Sequence, residues 1–124
     1  MTKPRILVVD DDPGIRFALA LKLRTAGFEV AEATDGQEGV DWFRTGKADL
    51  VVLDVGMPRM DGYTAAKALR AGETTKDLPV LFLTAQNLEL PDDVKPAIGR
   101  HKFLTKPFSP RDVVAAVKAL LQGA

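Results

Sequence analysis

The stretch LVVLDVGMPRMDG, residues 50–62, places a run of apolar residues directly before an acidic one, Asp54. The run LVVL is continuous rather than alternating, which is typical of a strand buried on both faces of a parallel sheet. Gly56, Pro58 and Gly62 then indicate that this strand ends in a loop. A carboxylate at the end of a buried strand is costly unless a cation or hydrogen bonds compensate its charge. Asp54 is therefore a candidate functional residue.

Length and composition limit the classes of protein to consider. The chain has 124 residues, which fits one domain, and Lys plus Arg and Asp plus Glu number 17 each. This balance of charge gives no reason to expect direct contact with nucleic acid or a membrane. The absence of cysteine excludes disulfides and thiolate metal sites, and it is compatible with the cytoplasmic location that we expect. We expect no signal peptide and no membrane span, since no apolar run approaches about 18 residues.

Strand and helix patterns alternate along the chain. Besides residues 50–53, the strand candidates are ILVV (6–9), EVAEA (29–33), PVLFLT (79–84) and KFLT (102–105). Helical spacing of apolar residues predicts a helix that stops at Gly27, one after Gly36, one ending near Gly72 and one capped by Ser109. Two prolines within residues 86–101 predict that the helix expected there, the fourth, is short or irregular. The alternation predicts an α/β fold, with a five-stranded parallel sheet and helices on both faces.

The carboxyl ends of the predicted strands carry polar residues, and ligands of such sheets bind beyond those ends. The residues at these ends are Asp10, Asp11, Asp54, Thr84 and Lys106. Carboxylates that meet there repel one another, and oxygen-only ligands favour Mg²⁺ over zinc as the cation that offsets them. A carboxylate can also be a nucleophile that forms an aspartyl phosphate, with Lys106 and Thr84 contacting phosphoryl oxygens. Asp54 is the preferred nucleophile because Asp10 and Asp11 look like a chelating pair, although the residues alone do not settle this choice.

Four segments together resemble the receiver domain of two-component response regulators, in their order and spacing and over essentially the whole chain. They are ILVVDDDPGIR, LVVLDVGMPRMDG, PVLFLTAQ and KFLTKPFSP. The resemblance implies a flavodoxin-like sheet with strand order 2-1-3-4-5. It also implies that residues 1–124 are a single receiver domain with no output domain in this chain.

The resemblance further implies a phosphoacceptor role for Asp54, with a histidine kinase or phosphotransfer protein as the donor. The domain would not be an enzyme, although it would assist its own phosphorylation and dephosphorylation. It would act on a downstream protein partner or on a missing output domain. The ligands implied for Mg²⁺ are Asp10, Asp11, Asp54 and the backbone carbonyl of Gly56.

Three more residues take roles from the same resemblance. Thr84 and Lys106 would contact the phosphoryl group, and Phe103 would turn inward as Thr84 moves, so that Thr84 and Phe103 form the switch. The Lys106–Pro107 peptide bond would be cis.

Other interpretations stay open at this point. Asp10 and Asp12 could imitate the paired acids of a haloacid-dehalogenase-like, Mg²⁺-dependent phosphatase, but no cap insertion is evident and Asp54 would be unexplained. A flavin-binding flavodoxin-like protein is disfavoured because the acidic loop DDDPG would repel a flavin phosphate. A degenerate receiver used only for docking is disfavoured by its intact acids. Individually, Asp12 is best interpreted as a helix cap and His101 as a solvated surface residue.

Overall fold

The computed structural model describes residues 3–56, 61–84 and 101–122. Its strands are β1 (Arg5–Val9), β2 (Glu29–Ala33), β3 (Leu50–Asp54), β4 (Val80–Thr84) and β5 (His101–Thr105). The helices within the described ranges are α1 (Pro13–Thr25), α2 (Gly36–Trp42), α3 (Gly62–Arg70) and α4 (Pro110–Gln122). The short or irregular helix predicted within residues 86–101 lies outside the described residues.

The strands form one parallel sheet in the order β2-β1-β3-β4-β5, which confirms the predicted topology. Val9 of β1 lies opposite Leu53 of β3, and Asp54 lies opposite Leu83 of β4. Because all strands run the same way and are in close register, their carboxyl ends meet at one edge of the sheet. That edge carries Asp10, Asp54, Thr84 and Lys106.

Two apolar layers cover the faces of the sheet. Alternate strand residues such as Leu53 and Phe82 join α3 residues in one cluster, with Val40 of α2 packed against it, and we call this the α2/α3 layer. The intervening strand residues join Leu19 and Leu23 of α1 and Val117 of α4 in a second cluster, the α1/α4 layer. The continuous apolar runs of the sequence are therefore explained by burial of both faces.

The ends of the helices follow local capping chemistry. The Asp12 carboxylate accepts hydrogen bonds from the backbone N–H groups of Gly14 (2.9 Å) and Ile15 (3.2 Å), so its predicted role as the cap of α1 is confirmed. Gly27, with φ of 102°, adopts the left-handed conformation just after α1, where glycine is favoured. Helix α3 ends at Arg70 with its C-cap at Ala71, which confirms the predicted end near Gly72.

His101 is half-buried rather than fully solvated as expected. It is the first residue of β5, and its ring packs edge-on against Phe82 and Phe103, with ring centroids 6.2 and 5.5 Å apart. The strand begins one residue earlier than predicted, which brings the imidazole beside the aromatic residues of the α2/α3 layer.

Across the described ranges, no helix has both the length and the apolar composition that a membrane crossing requires.

Candidate functional site

Three carboxylates meet where β1 and β3 end. One carboxylate oxygen from each of Asp10, Asp11 and Asp54 lies within 4.8 Å of the other two. Asp10 and Asp54 are buried, with 0% and 5% of their surface exposed, whereas Asp11 is exposed. Because β1 and β3 are neighbours in the sheet, Asp10 and Asp54 lie close together although they are 44 positions apart in the sequence. This agrees with the prediction made from the residues at the strand ends.

Among the described residues, one carboxylate oxygen of Asp10 has no hydrogen-bond partner. Oδ1 of this carboxylate accepts a hydrogen bond of 2.9 Å from the Asp12 backbone N–H, while its Oδ2 is buried and has no hydrogen-bond partner in the described part of the chain. Burial raises the pKa of the Asp10 carboxyl from 3.8 to about 6, and the charges of Asp54 and Asp11 act in the same direction. The Asp12 amide and Lys106 partly oppose this rise in pKa. An unpaired oxygen among other carboxylates is a position that suits a hard cation.

Asp54 is held from two sides. Its Oδ1 accepts a hydrogen bond of 3.1 Å from the Gly56 backbone N–H, and its Oδ2 lies 3.8 Å from Lys106 Nζ. The Lys106 side chain is 33% exposed and that of Asp54 is 8% exposed, so the pair lies at the rim of the crevice. A cation and an amide thus provide the compensation that a carboxylate in this position needs.

Gly62 is a residue of the site whose role the sequence analysis did not find. A Cβ atom at this position would lie 2.7 Å from the Asp54 carbonyl oxygen and 3.0 Å from Val55 Cα. Glycine therefore lets the first turn of α3 lie directly against the end of β3. A signal was available in the sequence, since Asp61 before Gly62 is the type of residue that caps a helix, and it does accept from the Thr64 N–H at 2.8 Å.

Thr84 and Lys106 lie at the same edge. Thr84 is the last residue of β4, is 4% exposed and follows Leu83, the partner of Asp54 in the register. Its carbonyl oxygen accepts a hydrogen bond of 2.7 Å from the Lys106 backbone N–H. The Lys106–Pro107 bond is cis, as the resemblance implies.

Phe103, the other predicted switch residue, packs against the α2/α3 layer. Its ring stacks on that of Phe82, with centroids 5.1 Å apart and an interplanar angle of 22°. Tyr63 of α3 approaches the Phe103 ring edge-on at 6.4 Å. Phe103 is thus partly buried beneath the edge that carries Thr84.

Comparison with known proteins agrees with this arrangement. Residues 6–118 match the family described as the response regulator receiver domain. The chain is 40% identical over 120 residues to the DNA-binding dual master transcriptional regulator RpaA of Synechocystis sp., covering 96% of this chain and 49% of RpaA. The chain therefore spans about half the length of the curated relatives it matches.

Solved structures show the same fold. The chemotaxis protein CheY4 of Vibrio cholerae superimposes with a TM-score of 0.88 and 31% identity, covering 96% of this chain and 99% of CheY4. The response regulator TrrA of Thermotoga maritima, solved in complex with Mg²⁺–BeF, gives a TM-score of 0.81 and 35% identity, covering 96% of this chain and 99% of TrrA.

The chain belongs to the response regulator receiver domain family. Members of this family are signalling modules of two-component systems rather than classical enzymes, and response regulators act with histidine kinases and output partners.

Proposed function

We propose that Asp54 is the phosphoacceptor of this receiver domain, and that its donor is the phosphohistidine of a histidine kinase or phosphotransfer protein. The observation that supports this most directly is the cluster of three carboxylates within 4.8 Å, with Lys106 Nζ at 3.8 Å from Asp54. Asp54 is the member of the cluster that contacts both a cation and a backbone amide, so it is the carboxylate best prepared to receive a phosphoryl group.

The residues present fit a Mg²⁺ ion. The donors are oxygens, and the buried Asp10 Oδ2 has no hydrogen-bond partner within the described ranges that would compete for it. We propose Asp10, Asp11, Asp54 and the Gly56 carbonyl as ligands. When bound, Mg²⁺ supplies positive charge that offsets the carboxylates and the incoming phosphoryl oxygens. The complex of the relative TrrA with Mg²⁺–BeF supports this choice of metal.

The proposed reaction is a direct transfer. An Asp54 carboxylate oxygen bonds to phosphorus while the N–P bond of the phosphohistidine breaks and the imidazole leaves. Lys106 and the Thr84 hydroxyl contact oxygens of the transferred group. Water later attacks phosphorus, which releases phosphate and restores the Asp54 carboxylate. In this sense the domain assists its own phosphorylation and dephosphorylation.

The proposed switch joins this edge to the aromatic residues below it. Added phosphoryl charge would draw in Lys106 and Thr84, whose backbones share a hydrogen bond. Phe103 on the neighbouring strand would change its packing against Phe82 and Tyr63, which would alter the surface offered to a downstream partner or output domain.

The phosphatase alternative is not favoured. Its catalytic acids would be Asp10 and Asp12, but the Asp12 carboxylate is used to cap α1 and accepts hydrogen bonds from two backbone N–H groups there. The family assignment agrees with this conclusion.

We also propose that this domain makes no direct contact with DNA and works in the cytoplasm. Its formal net charge of zero supports the absence of DNA contact. The relative RpaA is a DNA-binding regulator, but this chain matches only 49% of its length. That residues 1–124 form one receiver domain stays a prediction.

Phosphorylation by a small donor tests the proposal. The purified protein is incubated with Mg²⁺ and acetyl phosphate, and its intact mass is read over time. We expect a single phosphoryl adduct that is absent in Asp54→Ala and absent in EDTA. Rearranged packing of Phe103 should appear as shifted ring resonances in the NMR spectrum of the same phosphorylated sample.

Asp41→Ala is the matched control, since it removes an exposed acid of α2 and should leave the adduct unchanged. An adduct of equal yield in Asp54→Ala would place the acceptor elsewhere. Sustained hydrolysis of phosphomonoesters would instead support the phosphatase alternative.

A further inference from the structure

Arg16 of α1 connects the acidic edge to the neighbouring strand β2. Its Nη1 donates a hydrogen bond of 2.8 Å to the Asp10 carbonyl oxygen, and its Nε donates one of 3.3 Å to Glu32 Oε1. The bond from Arg16 to the Asp10 carbonyl is part-buried, so water competes with it less than with the more exposed bond to Glu32.

Together with two other hydrogen bonds, the contact with Arg16 holds both the backbone and the side chain of Asp10 in place. The Asp10 N–H donates to the Ala33 carbonyl oxygen at 3.2 Å, the Asp10 carbonyl accepts from Arg16, and Asp10 Oδ1 accepts from the Asp12 N–H. The Asp10 carbonyl belongs to the planar peptide that joins Asp10 to Asp11. Holding that carbonyl therefore restrains the backbone from which both assigned metal ligands project.

We propose that Arg16 is a positioning residue for the phosphoacceptor site, with Glu32 holding its guanidinium in place. This inference rests on the proposed function, because it concerns the ligands assigned there. The guanidinium suits the task because its rigid set of donors can bind a carbonyl and a carboxylate at once. An ammonium group offers no such fixed geometry.

The contact of Arg16 with Asp10 is a hydrogen bond to a main-chain oxygen, which restrains the position of the Asp10 backbone.

The chain provides a matched control in Arg24. Its Nη2 lies 3.5 Å from Glu32 Oε2 and donates a hydrogen bond to the Val30 carbonyl oxygen. Arg24 thus shares the carboxylate partner of Arg16, but its described contacts do not include Asp10. Comparing Arg16→Met with Arg24→Met separates loss of the Asp10 contact from loss of an ion pair to Glu32.

The experiment measures wild type, Arg16→Met, Arg16→Lys and Arg24→Met with two readouts that do not depend on phosphorylation. Amide hydrogen exchange of the metal-free proteins in EDTA is followed by NMR, and Mg²⁺ affinity is measured by isothermal titration calorimetry. In Arg16→Met we expect faster exchange at Asp10 and Asp12 with no change at Val52 in the middle of β3. We also expect about tenfold weaker Mg²⁺ binding, as for other residues that orient metal ligands.

Arg24→Met should match wild type in both readouts, and Arg16→Lys should recover only part of the affinity. Three results would each overturn the inference: wild-type Mg²⁺ affinity and exchange in Arg16→Met, an equal loss in Arg24→Met, or exchange that accelerates uniformly through β3. Full recovery in Arg16→Lys would refute the role of the guanidinium geometry. Failure of the wild type to form the acetyl phosphate adduct would instead refute the proposed function, since exchange and calorimetry judge Arg16 separately.

Discussion

Replacing Asp10 by Asn should stabilise the metal-free protein at neutral pH. Folding raises the pKa of this buried carboxyl from 3.8 to about 6, chiefly through burial. Each unit of pKa corresponds to about 1.36 kcal/mol, so holding the charge in the folded state costs up to about 3 kcal/mol. Asn removes the charge but keeps a buried polar group, which offsets part of the gain. We therefore expect the free energy of unfolding to rise by about 1–3 kcal/mol.

The dependence on pH has a definite sign. A carboxyl whose pKa is higher in the folded state binds its proton more tightly there, so the contribution of Asp10 to stability falls as pH rises from about 4 to about 6. Above that range the loss is complete. The advantage of Asp10→Asn over wild type should therefore be small at pH 4 and full at pH 7.

Urea unfolding followed by circular dichroism in EDTA, at several pH values, measures this difference. Asp41→Asn, at an exposed acid, should show no comparable gain. Mg²⁺ at ten times its dissociation constant should stabilise wild type by about 1.4 kcal/mol and Asp10→Asn by much less. An advantage of Asp10→Asn that is absent at pH 7, or that is equally large at pH 4, would refute the assignment of Asp10 as a buried carboxylate whose charge is only partly compensated.

Two further substitutions test other contacts of the site. Lys106→Met should raise the pKa of the Asp10 carboxyl further, because the Lys106 charge lowers it. Carbon-detected NMR titration in EDTA measures this pKa. An unchanged or lower pKa in the variant would contradict the proposed effect of the Lys106 charge. Gly62→Ala should lower the free energy of unfolding by about 1–3 kcal/mol, because its Cβ would lie 2.7 Å from the Asp54 carbonyl oxygen. Urea unfolding measures this loss, and Gly56→Ala is the control. The Cβ added at position 56 would lie 3.9 Å from Asp54 Oδ1, so this variant should lose less than about 0.5 kcal/mol of unfolding free energy. Equal losses in the two glycine variants would contradict the close approach of α3 to β3.

The sheet was predictable because its signals are local. The continuous run at residues 50–53 reflects burial of both faces of β3, and every residue of that strand is buried. The role of Asp12 was equally local, since a helix cap bonds to backbone groups two and three residues ahead. Local hydrogen bonding and residue spacing thus carried most of the fold.

One error arose where a residue contacts another that is distant in the sequence. His101 looked solvated because Phe82, which packs against it, belongs to another strand.

The acidic cluster was predictable from the residues at the strand ends, whereas the hydrogen bonds that hold its residues in place were not. Topology alone brings Asp10 and Asp54 to one edge, and the structure places their carboxylates together. The bond from Arg16 to the Asp10 carbonyl depends on how α1 lies over the sheet, and no spacing in the sequence encodes it. The roles of Phe103 and the Gly56 carbonyl stay predictions that rest on resemblance, and the roles of Asp54, Thr84 and Lys106 stay predictions drawn from the strand ends and the resemblance together.

The hydrogen bond from the Lys106 N–H to the Thr84 carbonyl has a mechanical consequence. The two side chains proposed to contact the phosphoryl group belong to residues whose backbones are joined by this hydrogen bond. Neither backbone can therefore move far without straining or breaking the bond. In the proposed switch, a force on either side chain would be transmitted to both strands at this edge of the sheet. Addition of one phosphoryl group would then displace the two segments together.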